Sequence, residues 1–168
     1  KISLTNAELI KALFLSSSSF KNEPSADREK IKIEIALFWD EIEQRLANED
    51  FWSFITNRKQ SDYANKIELL FDIIAGKKHR NTDPLYTFLH FSNQVKDNTS
   101  ALKEAWQLIR LYDQTLHEWF NNRNLYHKIG YLITYGSNLG DLLTESLSKR
   151  KDEFEVNLDN LIRSQVNF

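Results

Sequence analysis

Residues 99–121, TSALKEAWQLIRLYDQTLHEWFN, decide how this chain folds. Thr99 or Ser100 supplies a helix-starting hydroxyl, and Leu102, Trp106, Ile109, Tyr112, Leu116, Trp119 and Phe120 then return every three or four residues along one side. The polar run N-N-R-N, residues 121–124, closes the segment. A long helix with so wide an apolar side cannot bury it alone, so it needs other helices around it.

The flanking sequence supplies them. Residues 4–15, LTNAELIKALFL, open with a capping box in which Thr5 accepts from the backbone of Glu8 while Glu8 reaches back to Thr5, with Leu4 and Leu9 as a hydrophobic staple. Leu9, Ile10, Leu13 and Phe14 share the face that follows. Ile31, Ile35, Phe38, Trp39, Ile42 and Leu46 mark a long amphipathic helix over roughly 26–46. Residues 48–50 cap a short helix holding Phe51, Trp52, Phe54 and Ile55. Tyr63, Ile67, Leu70, Phe71 and Ile74 make the next stripe, which Gly76 stops. Thr82 or Asp83 caps a further helix with Pro84 in its first turn and Leu85, Phe88, Leu89 and Phe91 inside. Beyond the opening stretch, Leu125, Ile129, Leu132 and Ile133 form a helix ending near Gly136. Asn138 then opens a last one with Leu139, Leu142, Leu143, Leu147, Phe154, Leu158, Leu161 and Ile162.

No segment alternates like a strand, and four Gly with two Pro are too few for a turn-rich all-β domain. The expectation is one all-α domain over residues 1–168, a bundle-like array of seven or eight helices with no sheet. Ser16–Ser19 and the polar K-N-E-P-S-A-D-R after them predict a mobile loop between the first two helices.

Composition narrows the function classes. The 168 residues are 41% hydrophobic and 27% charged, ordinary for a globular protein with a real core. Cys is absent, which excludes disulfides, thiolate metal sites and a Cys nucleophile together, and points to a cytoplasmic origin. No apolar run approaches the roughly 20 residues of a membrane span, and no signal-peptide pattern is present. A net charge of −2 lacks the basic excess that advertises nucleic-acid binding, though it leaves room for a local basic patch. Met is missing even from position 1, which fits either an excised segment or a sequence from which modified methionines have dropped out.

Candidate chemistry is sparse. His117 and Glu118 begin H-E-W-F-N, but a zinc protease needs its second His where Asn121 stands. Arg123 and His127 resemble the Arg and His pair of HEPN-type ribonucleases only faintly, being closer together than that pair normally is, and read first as a surface pair. Asp40 and Glu43 share a helix face, with Glu41 beside them, as a divalent-ion cluster would require; no further ligand is identifiable and a solvated face is the simpler reading. Lys77, Lys78 and Arg80, in K-K-H-R after the Gly76 stop, are the best basic cluster and are placed to contact DNA phosphates; Arg58 and Lys59 are candidates to join them. No phosphate-cradling Gly-rich motif or nucleophile elbow occurs. No catalytic, cofactor-binding or metal-binding residue is therefore assigned.

Several runs together carry a family resemblance. L-T-N-A-E-L-I-K-A-L-F-L, I-A-L-F-W-D-E-I-E-Q-R-L, F-W-S-F-I, K-I-E-L-L-F-D-I-I and D-P-L-Y-T-F resemble the helical region of the GmrSD-type restriction protein N-terminal family, most strongly over residues 1–92 and more loosely through N-L-Y-H-K-I-G-Y-L-I. In that family a ParB or sulfiredoxin-like subdomain carries a D-G-Q-Q-R motif implicated in nucleotide hydrolysis, and an L-T-x-x-E-L-I-K helix follows it. Many members add an HNH-type nuclease region, and characterised relatives restrict modified or foreign DNA. Neither motif lies in these 168 residues, so no family catalytic residue carries over. The resemblance implies a non-catalytic helical domain from the middle of a larger NTP-dependent DNA endonuclease. Its partners would be an N-terminal subdomain of the same protein and DNA, with a nucleoside triphosphate and a divalent metal used elsewhere in the parent. The alternative is a protein interaction scaffold with no nucleic-acid role.

Overall fold

A computed structural model describes residues 4–16, 24–78, 80–96 and 98–166. Its helices are α1 (Asn6–Leu15), α2 (Ser25–Leu46), α3 (Glu49–Ile55), α4 (Ile67–Ala75), α5 (Tyr86–Val95), α6 (Thr99–Asn121), α7 (Arg123–Thr134), α8 (Leu139–Ser148) and α9 (Lys151–Val166). A 3-10 turn at Gln60–Asp62 joins α3 to α4. No strand occurs among the described residues, so the fold class is all-α as expected.

Residues 99–121 form α6, which packs against α2, α3, α4, α5, α7 and α8. Leu102, Ala105, Trp106, Ile109, Tyr112, Leu116 and Trp119 on its inner side are buried in one contiguous apolar cluster that draws on every helix. Among the described residues, no helix is long and apolar enough to cross a membrane.

Helix starts are fixed by short polar side chains. Asn48, Asn98, Asn122 and Asn138 each accept the backbone N–H three residues ahead, at 3.0, 3.2, 3.2 and 3.0 Å, which begins α3, α6, α7 and α8. The cap of α6 is thus Asn98, ahead of the expected Thr99 or Ser100. The Thr5–Glu8 capping box of α1 is present in both directions, but Leu4 is 59% exposed, so the expected staple is at most loosely packed.

Helix α4 has no cap of its own, since Lys66 at its start offers no acceptor. Glu43 of α2 fills the gap: its two carboxylate oxygens accept from the N–H groups of Lys66 and Ile67 at 2.8 and 2.9 Å. The carboxylate also opposes the positive end of the helix dipole. Glu43→Ala is expected to cost about 0.5–2 kcal/mol, the range for a lost cap, and to lower the urea midpoint at unchanged slope. Glu43→Gln keeps one acceptor oxygen and should lose less. Glu68 of α4 returns the favour to α1, accepting from the Ala7 N–H at 3.2 Å, and burial pushes its carboxyl above the usual range.

Nine α-helices among the described residues exceed the expected seven or eight because the last expected helix divides in two. Lys149 is extended, with φ −127° and ψ 157°, between α8 and α9. Ser146 and Ser148 donate their hydroxyls to the carbonyls of Leu143 and Glu145, local bonds that compete with helix continuation. Three further boundaries differ. Pro84 and Leu85 form a turn before α5, where the Asp83 carboxylate accepts from the Leu85 N–H at 3.0 Å, so the helix starts two residues later than a Pro84 first turn implies. Tyr63, expected on the α4 stripe, lies before the helix: it closes the 3-10 turn at φ −120° and ψ 132°, and α4 begins only at Ile67. Helix α2 starts at Ser25, one residue before the expected 26, so the end of the polar stretch before it is helical, while residues 17–23 of the expected loop lie outside the described residues.

Candidate functional site

The basic cluster after Gly76 stands on a cleft walled by the end of α3, the 3-10 connection, α4 and the start of α8. Gly76 ends α4 at φ 71°, a left-handed conformation that glycine adopts without steric cost. The Gly76 and Lys77 N–H groups then donate to the carbonyls of Ile73 and Asp72 at 3.2 and 3.0 Å, the Schellman closure. The chain turns sharply there, which brings Lys77 and Lys78 onto the cleft wall.

Arg58 reaches the same cleft from the other side. Its carbonyl accepts the Trp52 indole N–H at 2.6 Å, its N–H donates to the Thr56 hydroxyl at 3.2 Å, and its guanidinium donates to the Tyr63 hydroxyl at 2.8 Å. Trp52 meets the Tyr63 ring edge-on at 5.5 Å. Backbone and side chain of Arg58 are therefore both anchored. Opposite, Gly140 lets α8 approach α4: a Cβ there would lie 3.1 Å from Asn138 Oδ1 and 3.4 Å from the Ile73 carbonyl.

Electrostatics inside the cleft are mixed. Arg58, Lys77 and Lys78 line it together with Asp72 and Asp141, an excess of one positive charge. Burial pushes the Asp72 carboxyl above its usual range, while the Thr87 hydroxyl, which donates to it at 2.6 Å, and the nearby Lys77 and Arg58 pull it back. Burial likewise pushes the Tyr63 phenol up, against the pull of Arg58. The cavity measures about 300 Å³. Of the sequence candidates, Lys77, Lys78 and Arg58 are gathered here; Arg80 and Lys59 are exposed and do not line the cleft.

The remaining candidates disperse. Glu43 caps α4, Glu41 pairs with Arg45 at 2.6 Å and Asp40 points to solvent. These carboxylates do not converge, and no group of three His, Asp or Glu side chains suited to a metal ion gathers among the described residues. His117 stacks on Phe51 at 4.0 Å, and Glu118 pairs with Lys151 at 2.7 Å. Arg123 and His127 are exposed on the first turns of α7, beside a shallow depression that Asp50, Phe54 and Tyr126 also line.

One polar cluster escaped the sequence reading. Asp113 of α6 is 4% exposed and is ion-paired with Arg45 of α2. The signal was present: Asp113 occupies the same inner stripe as Ile109 and Leu116, where an acid needs a partner. Tyr63 was noticed only as an apolar stripe member, and its hydroxyl turns out to orient Arg58.

No family model matches this sequence, and neither a curated protein nor a solved structure matches it.

Proposed function

We propose that this chain is the non-catalytic helical domain of a cytoplasmic GmrSD-like protein, supporting nucleotide-dependent restriction of modified or foreign DNA. Lys77, Lys78 and Arg80 face DNA phosphates in this reading, and a subdomain preceding the chain processes the nucleotide with its divalent metal. One observation carries it beyond the family resemblance: Lys77 and Lys78 share a wall-lined cleft with an anchored Arg58, so cations separated in sequence meet in space. Phosphate neutralisation is the chemistry such a cluster offers a nucleic acid.

The test is duplex affinity as a function of salt. Wild-type chain should bind more weakly as salt rises, and Lys77→Glu/Lys78→Glu should weaken binding at least about tenfold and reduce the slope of log K against log salt by about two. Affinity that ignores salt, or is untouched by the double reversal, overturns the DNA contact. ATP and GTP hydrolysis by a form extended upstream, and not by this chain, would support the division of labour.

The scaffold alternative has its own footing. Ile33 and Leu37 lie one turn apart on the outer side of α2, 58% and 65% exposed. An apolar pair so placed is where a partner helix would seat. Loss of partner capture by Ile33→Ser/Leu37→Ser, with duplex binding absent in the wild type, would favour it.

A further inference from the structure

We propose that the cleft between α3, α4 and α8 binds one phosphate monoester of nucleotide size, its phosphate held between Arg58 inside and Lys77 and Lys78 at the edge. This rests on the reading of Lys77 and Lys78 as phosphate contacts and goes further, because it assigns the cleft interior a ligand that a duplex cannot supply along its length.

Size comes first. The cavity of about 300 Å³ is at the lower end of small-molecule sites. A DNA duplex, whose major groove alone is about 12 Å wide, can touch the edge of such a cleft but cannot enter it. Arg58, Tyr63 and Asp72, each only partly exposed, are then reachable by a group about as large as a single nucleotide.

Charge comes second. Three cations against two carboxylates leave an excess of one, which offsets part of the roughly two negative charges of a monoester and falls further short of those of a triphosphate. The carboxylates also give the ligand something to donate to. Asp72 lies close enough to Arg58 and Lys77 for both to act on it, so a hydroxyl or amino group beside the phosphate finds an acceptor next to its cations.

Preorganisation comes third. The Tyr63 hydroxyl and the two backbone anchors of Arg58 fix its guanidinium before any ligand arrives, which cuts the ordering cost of binding. Ile55, Leu69, Ile73 and Leu139 provide an apolar wall for a sugar or base face.

The monoester has two sources, a free nucleotide or the 5′ end of a DNA strand. Calorimetry on the whole chain with AMP, ATP, adenosine and a single strand bearing a 5′-phosphate or a 5′-hydroxyl separates them. AMP binding at least about tenfold tighter than adenosine and ATP, lost by about tenfold in both Arg58→Gln and Lys77→Gln, supports the cleft as a free-nucleotide site. Binding of the 5′-phosphorylated strand alone, with the same losses, supports it as a strand-end site. Thermal melting of the variants guards against misfolding, and Tyr63→Phe, which removes only the hydroxyl that orients Arg58, should weaken binding by a smaller factor. AMP binding unaffected by Arg58→Gln and Lys77→Gln overturns the assignment. So does duplex binding that depends on Lys77 and Lys78 but ignores Arg58→Gln and the 5′-phosphate, a result that leaves the DNA reading standing. AMP binding without duplex binding keeps the cleft and refutes the DNA reading, and binding of neither overturns both.

Discussion

Phe71→Ala is expected to lower the free energy of unfolding by about 4 kcal/mol, the middle of the range for truncating a buried Phe. Phe71 is fully buried and belongs to a closed ring of aromatic contacts that takes one side chain from each of five helices. Its ring lies 5.2 Å from Trp39 of α2 and 5.5 Å from Phe91 of α5; Phe91 meets Phe14 of α1 at 6.0 Å, Phe14 meets Trp106 of α6 at 5.7 Å, and Trp106 stacks on Trp39 at 6.4 Å. Truncation removes the apolar transfer energy, two aromatic contacts and the fill between α2 and α5 at once. Phe71→Leu keeps most of the volume and should cost no more than about 1.5 kcal/mol. Urea unfolding followed by fluorescence of the indoles measures both. A loss near 1 kcal/mol for the alanine variant would mean that the surrounding helices close over the gap and that the ring is not what fixes their arrangement. A total stability of about 5–15 kcal/mol makes the expected loss large enough to populate unfolded chain under mild denaturant.

Each member of that ring was legible in the sequence as one apolar residue on one helical stripe. The closure of the ring was not, because a period of 3.6 residues says which face is buried and nothing about which helix it meets. The division of α8 from α9 was hidden for a related reason. Leu143 and Phe154 are separated by eleven residues, three helical turns, so the stripe runs through the break without losing phase. Neither Gly nor Pro marks it; the interruption comes from serine hydroxyls turning back on their own helix, which sequence spacing does not distinguish from serines facing water.

For the cleft, the legible part was local and the illegible part tertiary. Lys77 and Lys78 stood out because like charges adjoin a helix-stopping glycine. Arg58, nineteen residues before Lys77, could be named as a candidate but not placed, since the turn at Gly76 and the 3-10 connection together set the distance. The carboxylates of W-D-E-I-E misled in the opposite direction. Glu43 and Asp40 share a face on paper, yet Glu43 is drawn to the uncapped start of α4, a helix terminus far away in sequence.

Arg45→Met is expected to cost about 3 kcal/mol, at the low end of the range for breaking a buried ion pair because the arginine side chain is itself 33% exposed. The loss comes from what remains. Asp113 is 4% exposed on the inner side of α6, and without Arg45 the base left beside it is His117, a cation only when protonated. His117 does not substitute: its Nε2 lies 3.4 Å from Asp113 without a hydrogen bond, and its ring is held flat against Phe51. Glu41, itself an anion, loses its own partner in the same substitution. If the deficit is the stranded carboxylate, then removing that group as well should recover most of it. Arg45→Met/Asp113→Leu replaces the pair by apolar side chains of similar reach, and such replacements are neutral or stabilising when the volume is filled. The expected pattern in thermal melts is a fall of about 6–12 °C for the single variant and a return to within a few degrees for the double. A double variant as unstable as the single one would show that Arg45 acts through its packing on α2 and α6 rather than through its charge.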